Sequence, residues 1–172
     1  MLAVVCDSSP LVYLSKLQQF RLLRLIYDAV LVPPAVWHEV TVGGQGLAES
    51  ENLKTAVAEG WMRVETPSAA GNQAANLPPS LGRGEVEAIM LACEKGAVLV
   101  TDDGLGRSLA VSLGLQVTGT VGVLIQAKRQ GHLSSIRPLM DQLRLGTNFR
   151  MSEPLYRKAM DVAGESVPTD SH

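Results

Sequence analysis

Cysteine is almost missing from the 172 residues: Cys6 and Cys93 stand alone in the apolar runs AVVCD and IMLACEKG. Their spacing suits no disulfide framework, zinc site or redox pair, and such thiols usually act as small core hydrophobes. Aromatic residues are nearly as sparse. The seven (Tyr13, Phe20, Tyr27, Trp37, Trp61, Phe149 and Tyr156) are scattered along the chain, which argues against the stacked platform of a single-strand binder. No window approaches about 18 uninterrupted apolar residues, so no membrane span is expected. The opening MLAVVCDSSP carries no basic leader, and with its two unpaired cysteines the chain is expected in a reducing, cytoplasmic setting. A global positive field is lacking too. Fifteen basic residues face seventeen acidic ones, a net charge of −2, so attraction to a polyanion has to come from local features.

What is present is apolar residue, 46% of the chain, enough to bury one substantial core. We expect a single domain over 1–160 and a polar tail over 161–172. The charge is divided along the sequence: Met1 to Thr118 carries a net −4, whereas Gly119 to Met160 carries a net +5. Two solvated faces would explain this, as would an acidic site beside a basic surface that holds an anionic substrate.

Short apolar runs alternate with helical patterns. Ala3–Cys6, Ala29–Val32 and Ala97–Val100 read as buried strands, with shorter ones at Trp61–Val64 and Leu115–Val117. Helical spacing marks the segments between them, with a join at Gln18-Gln19, and three further helices follow Thr118. Pro67–Pro79 is a small-residue loop. Such alternation predicts an α/β fold with a parallel sheet covered on both faces and extra C-terminal helices. Ligands in such sheets bind outside the carboxyl ends of the strands, which is where Asp7 and the pair Asp102-Asp103 fall.

The acids in informative positions are Asp7, Glu39, Glu85 with Glu87 two residues on, and Asp102-Asp103. Singly, each has a structural explanation as a helix cap or a solvated helix face. As a set converging on one sheet edge, they repel one another and call for a cation. An all-oxygen donor set without His or Cys suits Mg²⁺ or Mn²⁺ and metal-assisted phosphodiester hydrolysis. His38, beside Glu39 but about 100° round the helix, and His132 are expected to be surface or packing histidines.

The segments VVCDSSPLVYLSKL, VLVPPAVWHEV, LGRGEVEAIMLACEKGA and VLVTDDGLGRSLAVSLGLQVTGTVGVLIQAKRQG resemble, in this order, the motifs of the PIN domain, and in particular of prokaryotic PIN-like ribonucleases related to VapC toxins. The resemblance runs from about Ala3 to Tyr156. It implies a three-layer α/β/α sandwich, Mg²⁺- or Mn²⁺-dependent cleavage of single-stranded RNA, and frequently a homodimer inhibited by a small antitoxin. Carried over by motif, Asp7, Glu39, Glu85 and Asp103 are the catalytic acids. Asp7, Glu85 and Asp103 would hold the metal, with Asp102 able to share or take the last role, and Glu39 would orient or deprotonate the attacking water. Many members have Asp where this chain has Glu85, and Glu87 is a substitute or supporting group. Ser9 and Thr101 are the expected supporting hydroxyls. Arg107 is a candidate phosphate contact, and Lys128 and Arg129 lead a basic stretch that would track an RNA backbone or grip an acidic antitoxin. Surplus leucines on the early helices, Leu14, Leu17, Leu22, Leu25 and Ile26, suggest a dimer face. Two other readings stay open: a catalytically weak PIN-like module that binds RNA or protein, and a response-regulator-like phosphoacceptor, against which the order of the four acids counts.

Overall fold

A computed structural model describes residues 2–68 and 77–166. Its sheet is built from β1 (Ala3–Cys6), β2 (Ala29–Val32), β3 (Met62–Val64), β4 (Val98–Val100) and β5 (Val117–Thr118). All pairings are parallel, in the order β3-β2-β1-β4-β5. Side chains alternate across the sheet. Val4, Cys6, Val30, Val32 and Val100 face one apolar cluster, while Val5, Leu31 and Leu99 face another. The strands lack polar alternation because both faces are covered.

The first layer holds α1 (Ser8–Lys16), α2 (Leu22–Ile26), α4 (Ala48–Ala58), α7 (Thr120–Arg129), α8 (Arg137–Gly146) and α9 (Glu153–Val162). The second holds α5 (Arg83–Lys95) and α6 (Gly104–Ser112). This is the expected α/β/α sandwich. Between β2 and α4, the five residues of α3 (Pro34–His38) run directly into a π-helical turn, Glu39–Gly43, where continuous α-helix is the simpler expectation. The join at Gln18-Gln19 is a left-handed residue, Gln18 at φ 56°, which turns the chain between α1 and α2.

Two expectations differ from the structure. Leu14, Leu17, Leu22 and Ile26 are buried in the core of one chain under the C-terminal helices, and only Leu25 is exposed, so these residues form no dimer face. The chain also does not leave the domain at residue 160. Helix α9 continues to Val162, and Gly164 at φ 71° turns Glu165 back onto α8, so 161–166 belong to the fold. Part of the loop over 67–79 lies outside the described residues.

Candidate active site

The chain leaves β1 for β2 on one side and returns to β4 on the other, so the topological switch point lies between β1 and β4. Loops after these strands diverge there and leave a crevice. Asp7 follows β1 and is 4% exposed. It caps α1, accepting from Ser8 N at 2.8 Å through Oδ1, while Thr101 Oγ1 donates to its Oδ2 at 2.9 Å. Thr101 follows β4, and the same hydroxyl accepts from Asp103 N at 3.2 Å. One buried threonine thus couples the first acid to the fourth. Asp103 caps α6, with Gly106 N donating to Oδ2 at 2.6 Å.

Glu39 reaches this edge from the α3–π junction, a break in helical hydrogen bonding of the kind that re-aims side chains at functional sites. Ser8 Oγ donates to its Oε2 at 2.6 Å. The hydroxyl that meets an acid of this group is that of Ser8, whereas Ser9 makes no side-chain hydrogen bond among the described residues. Glu85 turns back to accept from Gly82 N at the start of α5. Both glutamates act on Asp7 by charge. Gly84 makes room for the cluster: a Cβ there would lie 2.7 Å from Glu39 Oε1. Gly84→Ala is expected to displace the Glu39 carboxylate from Ser8. Helix propensity changes by at most about 1 kcal/mol in the stabilising direction, so a crystal structure and a melting curve of the variant separate misplacement from unfolding.

The remaining candidates fall elsewhere or serve the scaffold. Asp102, adjacent to Asp103, points to α7, where Thr120 N and Oγ1 donate to its two oxygens at 2.8 and 2.6 Å. Burial raises its pKa against these bonds and the nearby positive charge of Arg107. Asp102 is an anchor for α7, and Arg107 stands beside it. Glu87 braces α5 against α3, accepting from Ala35 N at 2.8 Å and Arg83 Nε at 3.1 Å. Lys128 and Arg129 lie at the far end of α7 from Thr120, about 12 Å along the helix. Lys128 is paired with Glu165 at 2.8 Å, and Arg129 borders a hollow with Leu2 and Val98, at the opposite edge of the sheet from Asp7. Neither belongs to the acid site. Other basic residues of this third are neutralised internally: Arg144 and Arg157 both reach Glu153, and Arg144 also packs on the Tyr156 ring at 4.1 Å.

With this geometry, comparison with known families is decisive. A family model described as a PIN domain matches residues 3–165. The chain belongs to the PIN domain family. A search of curated proteins finds no match. Among solved structures, the chain is similar to a PilT N-terminus domain protein from the hyperthermophilic archaeon Sulfolobus solfataricus P2, with 19% identity and a TM-score of 0.43. That similarity covers 72% of this chain and 90% of the other. PIN domains are generally nucleases and typically use divalent metal ions. Among the described residues, no helix is long and apolar enough to cross a membrane.

The residues of this PIN domain fit a hard divalent cation by their chemistry. Burial, with smaller contributions from the negative charges of Glu85 and Glu39, raises the Asp7 pKa to about 6 despite the bonds from Ser8 and Thr101. That is the condition of a carboxylate short of positive charge. Glu39, Glu85 and Asp103 each engage only one carboxylate oxygen among the described residues, leaving the other for a ligand. As they stand, no three His, Cys, Asp or Glu among the described residues are gathered closely enough to hold an ion. Cys6, next to Asp7, has its thiol pKa pushed far up by burial and is no ligand candidate.

Proposed function

We propose that this PIN domain is an endoribonuclease that hydrolyses phosphodiester bonds of single-stranded RNA with Mg²⁺ or Mn²⁺, and that it is the toxin of a type II toxin–antitoxin pair. The observation that carries the nuclease reading is Asp7: a buried carboxylate at the switch point, coupled through Thr101 to Asp103 and under the negative charge of Glu39 and Glu85. In this reading Asp7, Glu85 and Asp103 hold the ion, with Asp102 keeping its place on α7. When bound, the ion supplies Lewis-acid stabilisation of the charge that builds on the scissile phosphate. Glu39, steadied at Oε2 by Ser8, uses Oε1 to orient the attacking water and take its proton. Arg107 contacts a phosphate of the strand. A small antitoxin and a second copy of the chain are partners in the same proposal, supported by exposed apolar residues on and after α6: Leu105, Val111 and Leu113. A cytoplasmic setting belongs to it as well.

Defined single-stranded RNAs, their duplexes and the matching DNA strands, incubated with Mg²⁺, Mn²⁺ or EDTA, test the activity. Internal cleavage of the single-stranded RNA is expected with either metal and none with EDTA. Cleavage that persists in EDTA, or none with any cation, overturns the assignment. Growth arrest on expression, relieved by a co-expressed neighbouring gene product, tests the toxin role. The competing reading, a catalytically weak RNA- or protein-binding module, draws on the way the acids serve as caps and braces; RNA binding without turnover would favour it.

A further inference from the structure

Beside Glu39, α3 and the first turn of α5 line an open cavity of about 470 Å³ formed by Pro34, Ala35, Trp37, His38, Glu39 and Arg83. Pro34, Trp37 and His38 share one face of α3 because positions i, i+3 and i+4 are neighbours on a helix. Trp37 is half-buried against the core, which fixes its ring. Among the described residues its indole N–H has no hydrogen-bond partner. Arg83 has 83% of its side chain in solvent, yet it is not adrift. Its Nε donates to Glu87 Oε1 at 3.1 Å, and Glu87 Oε2 accepts from Ala35 N at 2.8 Å. The guanidinium is thereby tied to the helix that carries Trp37, with both terminal nitrogens left over. Glu39 lines the cavity and also acts by charge on Asp7, so the cavity adjoins the acid site.

We infer that this cavity is a base subsite, which takes one unpaired nucleobase of the RNA strand next to the phosphate held at the acids. The inference rests on the nuclease reading for its substrate class. An indole edge with a spare donor, a planar cation and a proline suit a flat aromatic ring with a polar rim. The same groups would serve a purely aliphatic ligand poorly, because Arg83 and Glu39 would then lose water without gaining a partner. The base must leave its helix to enter, so the subsite selects single strands and selects one position of the strand relative to the cut. It also gives a role to an aromatic residue in a chain with too few of them to form a platform.

In the Trp61→Phe background Trp37 is the sole tryptophan, and its fluorescence reports on the cavity directly. Titration with a single-stranded oligoribonucleotide in EDTA is expected to quench it saturably. A strand made abasic at the position occupying the cavity is expected to bind roughly tenfold or more weakly, within the range of one lost stacking contact. Trp37→Ala and Arg83→Ala, checked as folded by thermal melting, are each expected to raise KM for RNA cleavage about 10- to 100-fold. Against Trp37→Ala the abasic strand should carry almost no further penalty, whereas Trp37→Phe keeps most of the effect. Quenching by the abasic strand equal to that by the intact one, or none by either, overturns the subsite whatever the activity. Metal-dependent cleavage that is indifferent to Trp37→Ala, to Arg83→Ala and to every abasic position also removes the subsite and leaves the nuclease standing. Base-dependent quenching by a protein that cleaves nothing retains the subsite and removes the catalytic reading.

Discussion

Replacing Asp7 with Asn is expected to lower metal-dependent RNA cleavage by on the order of 10³-fold or more, the scale seen when a central electrostatic group of a site is removed. The same substitution is expected to make the metal-free fold more stable at neutral pH. Asp7 is buried, and the cost of burying its charge, with the repulsion of Glu85 and Glu39, outweighs the bonds from Ser8 and Thr101, so its pKa stands at about 6 rather than 3.8. A folded-state pKa raised above the unfolded value contributes stability that is full below about 3.8 and lost as pH rises through about 6. The loss amounts to on the order of 2–3 kcal/mol. Asn carries no charge and escapes it. Above pH 7, Asp7→Asn should therefore melt about 5 °C higher than the native chain in EDTA, and the difference should vanish near pH 4. Saturating Mn²⁺ should raise the melting temperature of the native chain and leave the variant unmoved. A variant less stable than the native chain at every pH would mean that the hydrogen bonds of Asp7, not its desolvation, dominate.

Asp7 stands at the end of a buried strand, and such strand ends are the features the sequence exposed. The buried strands are short apolar runs stopped at Asp7, Pro33 and Thr101, so β1, β2 and β4 and the acids at the ends of β1 and β4 were visible in a one-dimensional pattern. Partners contributed by distant segments were not. Asp102 and Asp103 sit side by side, and only Thr120 and Gly106 decide that the side chain of one anchors α7 and that of the other caps α6. Ser8 and Ser9 are equally good hydroxyls on paper, and the choice between them is made by Glu39, 31 residues away, whose direction depends on a π-helical turn that no periodicity announces. The leucines of α1 and α2 looked like surplus because the helices that cover them, α7 to α9, come more than ninety residues later. The basic stretch after Thr118 looked like a groove for a related reason: one counter-charge, Glu165, lies beyond it in sequence, and another, Glu153, lies within it but is brought to Arg144 only by the fold.

Glu165 is the clearest of these hidden partners, and its removal is expected to have the largest effect on stability. Helix α9 ends in a left-handed glycine: Gly164 N bonds Asp161 O and Glu165 N bonds Met160 O, the paired closure that reverses a chain at a helix C-terminus. The reversal lays the Glu165 carboxylate on the start of α8, where Ile136 N and Arg137 N donate to it at 2.6 and 3.2 Å. Lys128 Nζ, at the end of α7, and Ser135 Oγ complete the set at 2.8 Å each. One side chain thus caps α8 from outside, complements its dipole and ties the ends of three helices. Burial would raise its pKa, but the bonds from Lys128, Ile136, Ser135 and Arg137 outweigh it and hold the group at about 2. A depressed folded-state pKa contributes stability that is present above the unfolded value of 4.5 and lost as pH falls towards 2. At neutral pH, Glu165→Gln is expected to cost on the order of 2 kcal/mol and Glu165→Ala on the order of 3, since Ala also strands the Lys128 ammonium and two helix N–H groups. Ending the chain at Gly164 should match Glu165→Ala, and the double variant Lys128→Met/Glu165→Gln should recover part of the loss. Equilibrium unfolding in urea at pH 7 and pH 3 measures all of these: a Glu165→Gln protein as stable as the native chain at pH 7 would show that α8 needs no cap from α9.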